Sequence, residues 1–201
     1  MKKTLLAAII AASMVSGCSM LGATEQTPAQ LNAKSQELAA QEYTESSIQP
    51  VEQVRMAVNS LFKESTPIYA DYTKHVDTNK VGGQVSSALM MKETDEERDA
   101  FLADLKANKT DDYNAYIAFI NDKYMDSIYK RALKVGAEIA VQTMAFSELN
   151  QTSLLSQIDF SELGNEKDKL VLTADQVMML NDTVYSLYQE YQYNKAADLI
   201  K

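Results

Sequence analysis

The chain has 201 residues, with 28 Asp and Glu against 19 Lys and Arg, which gives a formal net charge of −9. A negative charge of this size repels phosphate backbones and anionic lipid surfaces, and this argues against nucleic acid as a partner. Hydrophobic residues make up 46% of the chain, enough for a core, but there are only six glycines and three prolines. Because β-sandwiches and α/β enzymes need more turn residues than this, we expect an all-α fold.

The first 17 residues have the three-part pattern of an export signal. Lys2 and Lys3 precede an apolar run over residues 4–15, and small residues follow the run. The run is shorter than the about 20 residues that a membrane-spanning helix needs. We therefore interpret residues 1–17 as a cleaved signal peptide. Its removal takes away two lysines and no acid, which changes the net charge from −9 to −11.

The signal ends in Val15-Ser16-Gly17-Cys18, which contains the only cysteine of the chain. This stretch resembles the lipobox of bacterial lipoproteins, a resemblance confined to residues 1–18. It implies that the Cys18 thiol carries a diacylglyceryl group, that cleavage precedes Cys18, and that fatty acyl groups such as palmitate anchor the protein in a membrane. Ser19 stands where an aspartate marks inner-membrane retention in Gram-negative lipoproteins, which implies the periplasmic side of the outer membrane. The alternative is an ordinary signal peptide cut after Ala23.

Residues 18–26 are small and polar, and we expect a flexible, lipidated tether there. A helical domain over residues 27–201 should follow it. Thr27 before Pro28 is the pattern of a helix cap with proline at the first helical position. The body should therefore begin with a helix, at some distance from the membrane.

Three features divide the middle of the chain. A helix from Pro50 should end near Ser65, because Pro67 disfavours helical geometry in the residue before it. Gly82-Gly83 is the clearest hinge candidate. Thr94 stands three residues before Glu97, the spacing of a capping box.

The longest helical pattern runs over residues 111–147, and Gly136 inside it indicates a close approach of another helix. A connector should occupy residues 150–168, after which Thr173 is expected to cap the last helix. That helix carries a stripe of buried positions at spacings of three and four residues: Val177, Leu180, Val184, Leu187 and Tyr191. Together these patterns predict a single bundle of about four to six helices.

Residues that support catalysis or metal binding are scarce. The sole histidine, His75, cannot form a multi-histidine metal site, and we interpret it as a solvated surface residue. The acidic groups at 95–97 and 111–112 stand where helices begin, so the helix dipole explains them without a metal. We expect no cofactor and no metal.

Tyrosine is the most conspicuous side chain of the last helix. Tyr188 and Tyr193 lie off the buried stripe, so we expect them to be exposed and take them as a candidate partner surface, since tyrosine is enriched at interfaces. One residue of the pair Met178-Met179 must also point away from the stripe.

The leading functional hypothesis is therefore a membrane-anchored, non-enzymatic lipoprotein of the periplasm that binds or scaffolds another protein of the cell envelope. The alternative is a carrier of a small apolar ligand or lipid, with its site between helices near Gly82-Gly83. The identity of the partner and the oligomeric state do not follow from the residues.

Overall fold

The computed structural model describes residues 26–149 and 163–200, and every regular element in these ranges is helical. The elements, in chain order, are α1 (Pro28–Ala39), α2 (Gln49–Thr78), α3 (Lys80–Met90), α4 (Asp95–Asn108), α5 (Thr110–Ile120), α6 (Lys123–Ser147), α7 (Leu163–Leu180), a π-helical segment (Asn181–Tyr185) and α8 (Ser186–Ala196). The prediction of an all-α bundle is confirmed. The predicted signal peptide, Cys18 and most of the tether lie outside the described residues.

The last three elements follow one another without a break, so they act as one long rod. Counted in this way, the described residues form seven helices. The sequence predicted about four to six helices. The number is higher because the long helix predicted over residues 111–147 is interrupted. Asp122 caps the start of α6 by accepting a hydrogen bond from the Tyr124 amide at 2.7 Å, which separates α5 from α6.

Helix α2 continues through Pro67, although the sequence predicted an end before it. Proline in a helix removes one hydrogen bond and costs about 3 kcal/mol in an isolated helix. Here Ile68, Tyr69 and Tyr72 follow the proline and are buried in the core. Tertiary packing of these large side chains offsets the local cost.

Helix α2 is the centre of the bundle. It runs antiparallel to α1, where the Ser35 and Thr66 hydroxyls are 3.3 Å apart. It also runs antiparallel to α6, where Arg131 pairs with Asp71 at 2.6 Å and Lys134 pairs with Glu64 at 3.4 Å. Helix α7 lies parallel to α2, with the Gln176 amide donating to Asn59 at 3.1 Å.

The short helices α3 and α5 pack together with α8. A Cβ atom at Gly82 would lie 2.6 Å from the carbonyl oxygen of Ala115, and one at Gly83 would lie 2.8 Å from the Cα of Val76. Both glycines lie inside α3. The hinge prediction is therefore wrong, because these glycines allow close packing of helices instead of bending the chain.

The close approach of another helix predicted at Gly136 is confirmed, since a Cβ there would lie 2.5 Å from the ring of Tyr188. The helix cap predicted at Thr27 and the capping box predicted at Thr94 are also confirmed, with each threonine hydroxyl accepting a hydrogen bond from the backbone N–H three residues ahead. Thr173 does not begin a helix, because α7 starts at Leu163 and the Thr173 hydroxyl donates to the Lys169 carbonyl at 3.0 Å. The predicted connector therefore ends earlier than expected, and its first part lies outside the described residues.

The predicted stripe of the last helix is buried from Val177 to Leu187, while Tyr191 packs at its edge. Within residues 26–149 and 163–200, no helix is both long and apolar enough to cross a membrane.

Candidate functional site

A cleft of about 260 Å³ opens where α1, α2 and α3 meet the π-helical segment. Its lining is mainly apolar, with two aromatic rings and a few polar groups. The lining residues include Leu31, Tyr69, Tyr72, Met90 and Met91, together with the polar Gln26, Ser87, Asp182 and Ser186. An apolar concave surface with a few polar groups is the usual character of a site for a small ligand or an apolar chain.

The π-helical segment forms one side of this cleft. The Ser186 hydroxyl donates to the carbonyl of Asn181 at 2.7 Å, five residues earlier, and Asp182 and Ser186 both line the cleft. A single π-helical turn inserts one residue into a helix and is often found at functional sites. Partial burial raises the pKa of the Asp182 carboxyl, against the opposing charge of Lys34. The sequence pattern gave no signal of this segment.

Behind the cleft lies a buried polar network centred on Glu190, of which only 2% is exposed. The Tyr72 hydroxyl, at the cleft wall, is 3.1 Å from the Ser86 hydroxyl, which in turn donates to Glu190 Oε1 at 2.7 Å. Tyr116 donates to Asn194 at 2.8 Å and also reaches Glu190 at 3.3 Å. The network therefore connects the wall of the cleft to α8.

Burial raises the pKa of the Glu190 carboxyl to about 7, against the opposing effect of hydroxyl donors and of the Arg98 charge. The Tyr129 hydroxyl is another group that favours the charged carboxylate, although it has no regular hydrogen-bond partner within the described residues. Oε2 of Glu190 and the side-chain amide nitrogen of Asn194 have no hydrogen-bond partner within the described residues. A buried carboxyl with an unsatisfied oxygen is costly, and protonation near neutral pH reduces that cost.

The structure does not expose the two tyrosines as predicted. Tyr193 is buried, and its hydroxyl donates to Asp99 at 2.7 Å. Tyr188 is half-buried because its ring packs over Gly136. The expected exposure is therefore wrong for Tyr193 and only partial for Tyr188, and no finding tests a role for either in partner binding. The pair Met178-Met179 divides as expected, with Met179 buried and Met178 exposed.

His75 is also not the solvated residue that the sequence predicted. It is buried, its ring stacks on Phe119 with centroids 4.6 Å apart, and Nε2 lies 3.8 Å from Asp122. Burial lowers its pKa, an effect that Asp122 partly opposes. The effect of burial on the pKa is larger than that of Asp122, which favours the neutral ring. His75 therefore packs as part of the core.

The acidic groups 95–97 and 111–112 lie in the first turns of α4 and α5, where the helix dipole favours them. Among the residues that the structure describes, no three His, Cys, Asp or Glu side chains converge as a metal site would require.

A second buried polar group joins α2 to α7. Arg55 is 1% exposed and donates to the carbonyls of Thr44 and Lys169 and to the Thr173 hydroxyl. Glu166 is equally buried and pairs with Lys169 at 2.9 Å. Because these buried charged groups are bonded to neighbouring residues, they stabilise the packing of α2 against α7 and do not form an open site.

Large apolar side chains are exposed at the end of the α2–α6 pair that lies away from the cleft. Met56 and Met144 are each 58% exposed and Val141 is 54% exposed. The Lys134–Glu64 pair sets the register of the two antiparallel helices. Met56 is about two turns before Glu64 and Val141 about two turns after Lys134, which places them at the same end. We call these three side chains the distal apolar group.

No protein-family model, no curated protein and no solved structure matches this chain.

Proposed function

We propose that the protein is a lipoprotein, anchored by acyl groups on Cys18, whose helical body binds another protein of the cell envelope. The lipobox-like stretch supports the anchor. The observation that carries the binding role is the distal apolar group of Met56, Val141 and Met144. Exposed apolar side chains at one end of a helical bundle are candidates for an interaction surface, and methionine adapts to different partners.

The positions of the anchor and of this group support the same proposal. The described chain begins at Gln26, which lines the cleft beside the C-terminal half of α2. Met56 lies 13 residues before Tyr69 in the same helix, a distance of about 20 Å along the axis. A tether attached near the cleft would leave the distal apolar group free to meet a partner away from the membrane.

Site-specific photocrosslinking in intact cells tests this proposal. A photoreactive amino acid replaces Met56 in the full chain, and a matched variant carries it at Val81, which is 46% exposed on α3. We expect one reproducible envelope protein to be captured from position 56 and not from position 81. Equal capture from both positions, or none from position 56, would contradict a binding role of the distal apolar group.

The second candidate function is a carrier of a small apolar ligand, and the cleft favours it. Ala115, Phe119 and Val76 pack closely against Gly82 and Gly83, near which the sequence predicted the site. A carrier would have to use the cleft by Tyr69 and Tyr72 instead. Extraction of a stoichiometric lipid from the purified protein, detected by mass spectrometry, would favour this function.

A further inference from the structure

We propose that the cleft between α1, α2, α3 and the π-helical segment holds one acyl chain of the protein's own lipid on Cys18 when the protein is outside a bilayer. The inference rests on the lipid anchor of the proposed function. It adds an intramolecular binding site and assigns its occupant.

The length of the tether supports this occupant. Gln26 follows Cys18 by eight positions, and Gln26 itself lines the cleft. A chain of that length spans at most about 26–29 Å when extended. The lipid on Cys18 is therefore attached within about 26–29 Å of the cleft. The distal apolar group lies about 20 Å further along α2.

The size and chemistry of the cleft also fit an acyl chain. Tyr69 and Tyr72, with ring centroids 5.4 Å apart and only 2% and 0% of their surface exposed, line the cleft on its core side, and Met90 and Met91 line it with flexible thioethers. The volume of about 260 Å³ is below the about 300–1,000 Å³ of sites that hold drug-sized ligands. The cleft thus suits part of one narrow chain better than a whole lipid or a bulky ligand.

Tethering gives the protein's own chain an advantage over a free fatty acid. A group held by a short flexible linker has an effective concentration in the millimolar range at a site it can reach. Free lipid at lower concentration competes poorly with it. In a bilayer the surrounding hydrocarbon replaces the cleft walls, so the chain can leave the cleft on membrane insertion.

A photoreactive lipid tests this proposal directly. Cells that express the full chain are fed a fatty acid with a terminal diazirine, the protein is purified from membranes, and its intact mass is measured. The detergent is then diluted below its micelle-forming concentration before irradiation. We expect crosslinks within the same molecule, several-fold enriched on the peptides that contain Leu31, Tyr69, Tyr72 and Met90.

Two variants provide the matched comparison. Met91→Asp places a charge at the cleft mouth, on a residue that is 54% exposed, and Val81→Asp places the same charge on an exposed residue at the other end of α3. We expect the cleft crosslinks to fall several-fold in Met91→Asp and to persist in Val81→Asp. Thermal unfolding curves of both variants serve as the control that the helical body remains folded.

The outcomes separate this inference from the proposed function. An intact mass without acyl groups would overturn the lipid anchor, and with it the present inference. Acylated protein whose crosslinks lie on other peptides or on a second molecule would overturn only the intramolecular site. Loss of the cleft crosslinks on adding an equimolar free fatty acid would also overturn it, in favour of a carrier of free lipid.

Discussion

Glu190 is the residue whose environment departs most from what its type prefers. A glutamate on the last helix is ordinarily a solvated side chain, yet this one lies among Ser86, Tyr116, Tyr129 and Asn194 with 2% of its surface exposed. Its neighbours come from α3, α5, α6 and α8, so no local pattern could have identified it. The only signal in the sequence was its position between the buried Leu187 and the edge residue Tyr191.

The raised pKa of Glu190 predicts how stability depends on pH. Because burial raises the pKa from 4.5 to about 7, the folded state binds the proton more tightly than the unfolded state. This stabilisation is complete below about pH 4.5 and is lost as the pH rises through 7, a change on the order of 3 kcal/mol. Glu190→Gln cannot titrate, so the stability advantage of the wild type over this variant should fall between pH 4.5 and pH 8.

Urea unfolding of both proteins at each pH measures this difference. The comparison isolates Glu190 because His75, whose pKa is lowered by burial, contributes the opposite dependence, with loss of stability as the pH falls, to both proteins. A constant difference in unfolding free energy across this pH range would show that folding does not raise the pKa of Glu190.

At the scale of helices, the two glycines of α3 permit a contact that any side chain would prevent. Gly82→Ala would place a Cβ 2.6 Å from the Ala115 carbonyl, and the backbone of α5 cannot rotate away as a side chain can. We expect a loss of about 1–3 kcal/mol in the free energy of unfolding, as for other overpacked cores. Denaturant unfolding provides the measurement.

Gly164→Ala is the matched control for this substitution. Gly164 is also helical, but among the described residues no atom beyond its chain neighbours and its own helix backbone lies within 4 Å of the added Cβ. Alanine should therefore increase stability there by up to about 1 kcal/mol, through helix propensity alone. Should Gly82→Ala also increase stability, α3 and α5 would have to lie further apart than the structure places them.

Helices whose ends are marked by local chemistry were predictable, and helices whose ends depend on packing were not. The threonines at 27 and 94 accept backbone hydrogen bonds that their own spacing implies, so the starts of α1 and α4 were predictable. The continuation of α2 through Pro67 depends on burial of Tyr69 and Tyr72 against other helices. The cleft depends on how three helices and a π-helical turn come together, and this arrangement has no local sequence signal.

At the scale of the whole molecule, the cleft and the distal apolar group lie towards opposite ends of α2. The hydrogen bond from the Thr73 hydroxyl to the Pro28 carbonyl holds the start of α1 at the cleft end. Leu149, just beyond the end of α6, packs with Ile48 and Val51 at the other end. The proposed function assigns the tether and its lipid to the cleft end of the bundle and a protein partner to the other end.

The intact mass of the protein from its native membranes tests the central claim, the lipid anchor on Cys18, most directly. The protein is extracted in detergent, its mass is measured, and its N-terminal peptide is sequenced by tandem mass spectrometry. We predict a chain that begins at Cys18 and carries a diacylglyceryl thioether with an acylated amine. A chain that begins elsewhere, for instance after Ala23, or an unmodified Cys18, would contradict the lipid anchor and the membrane location that depends on it.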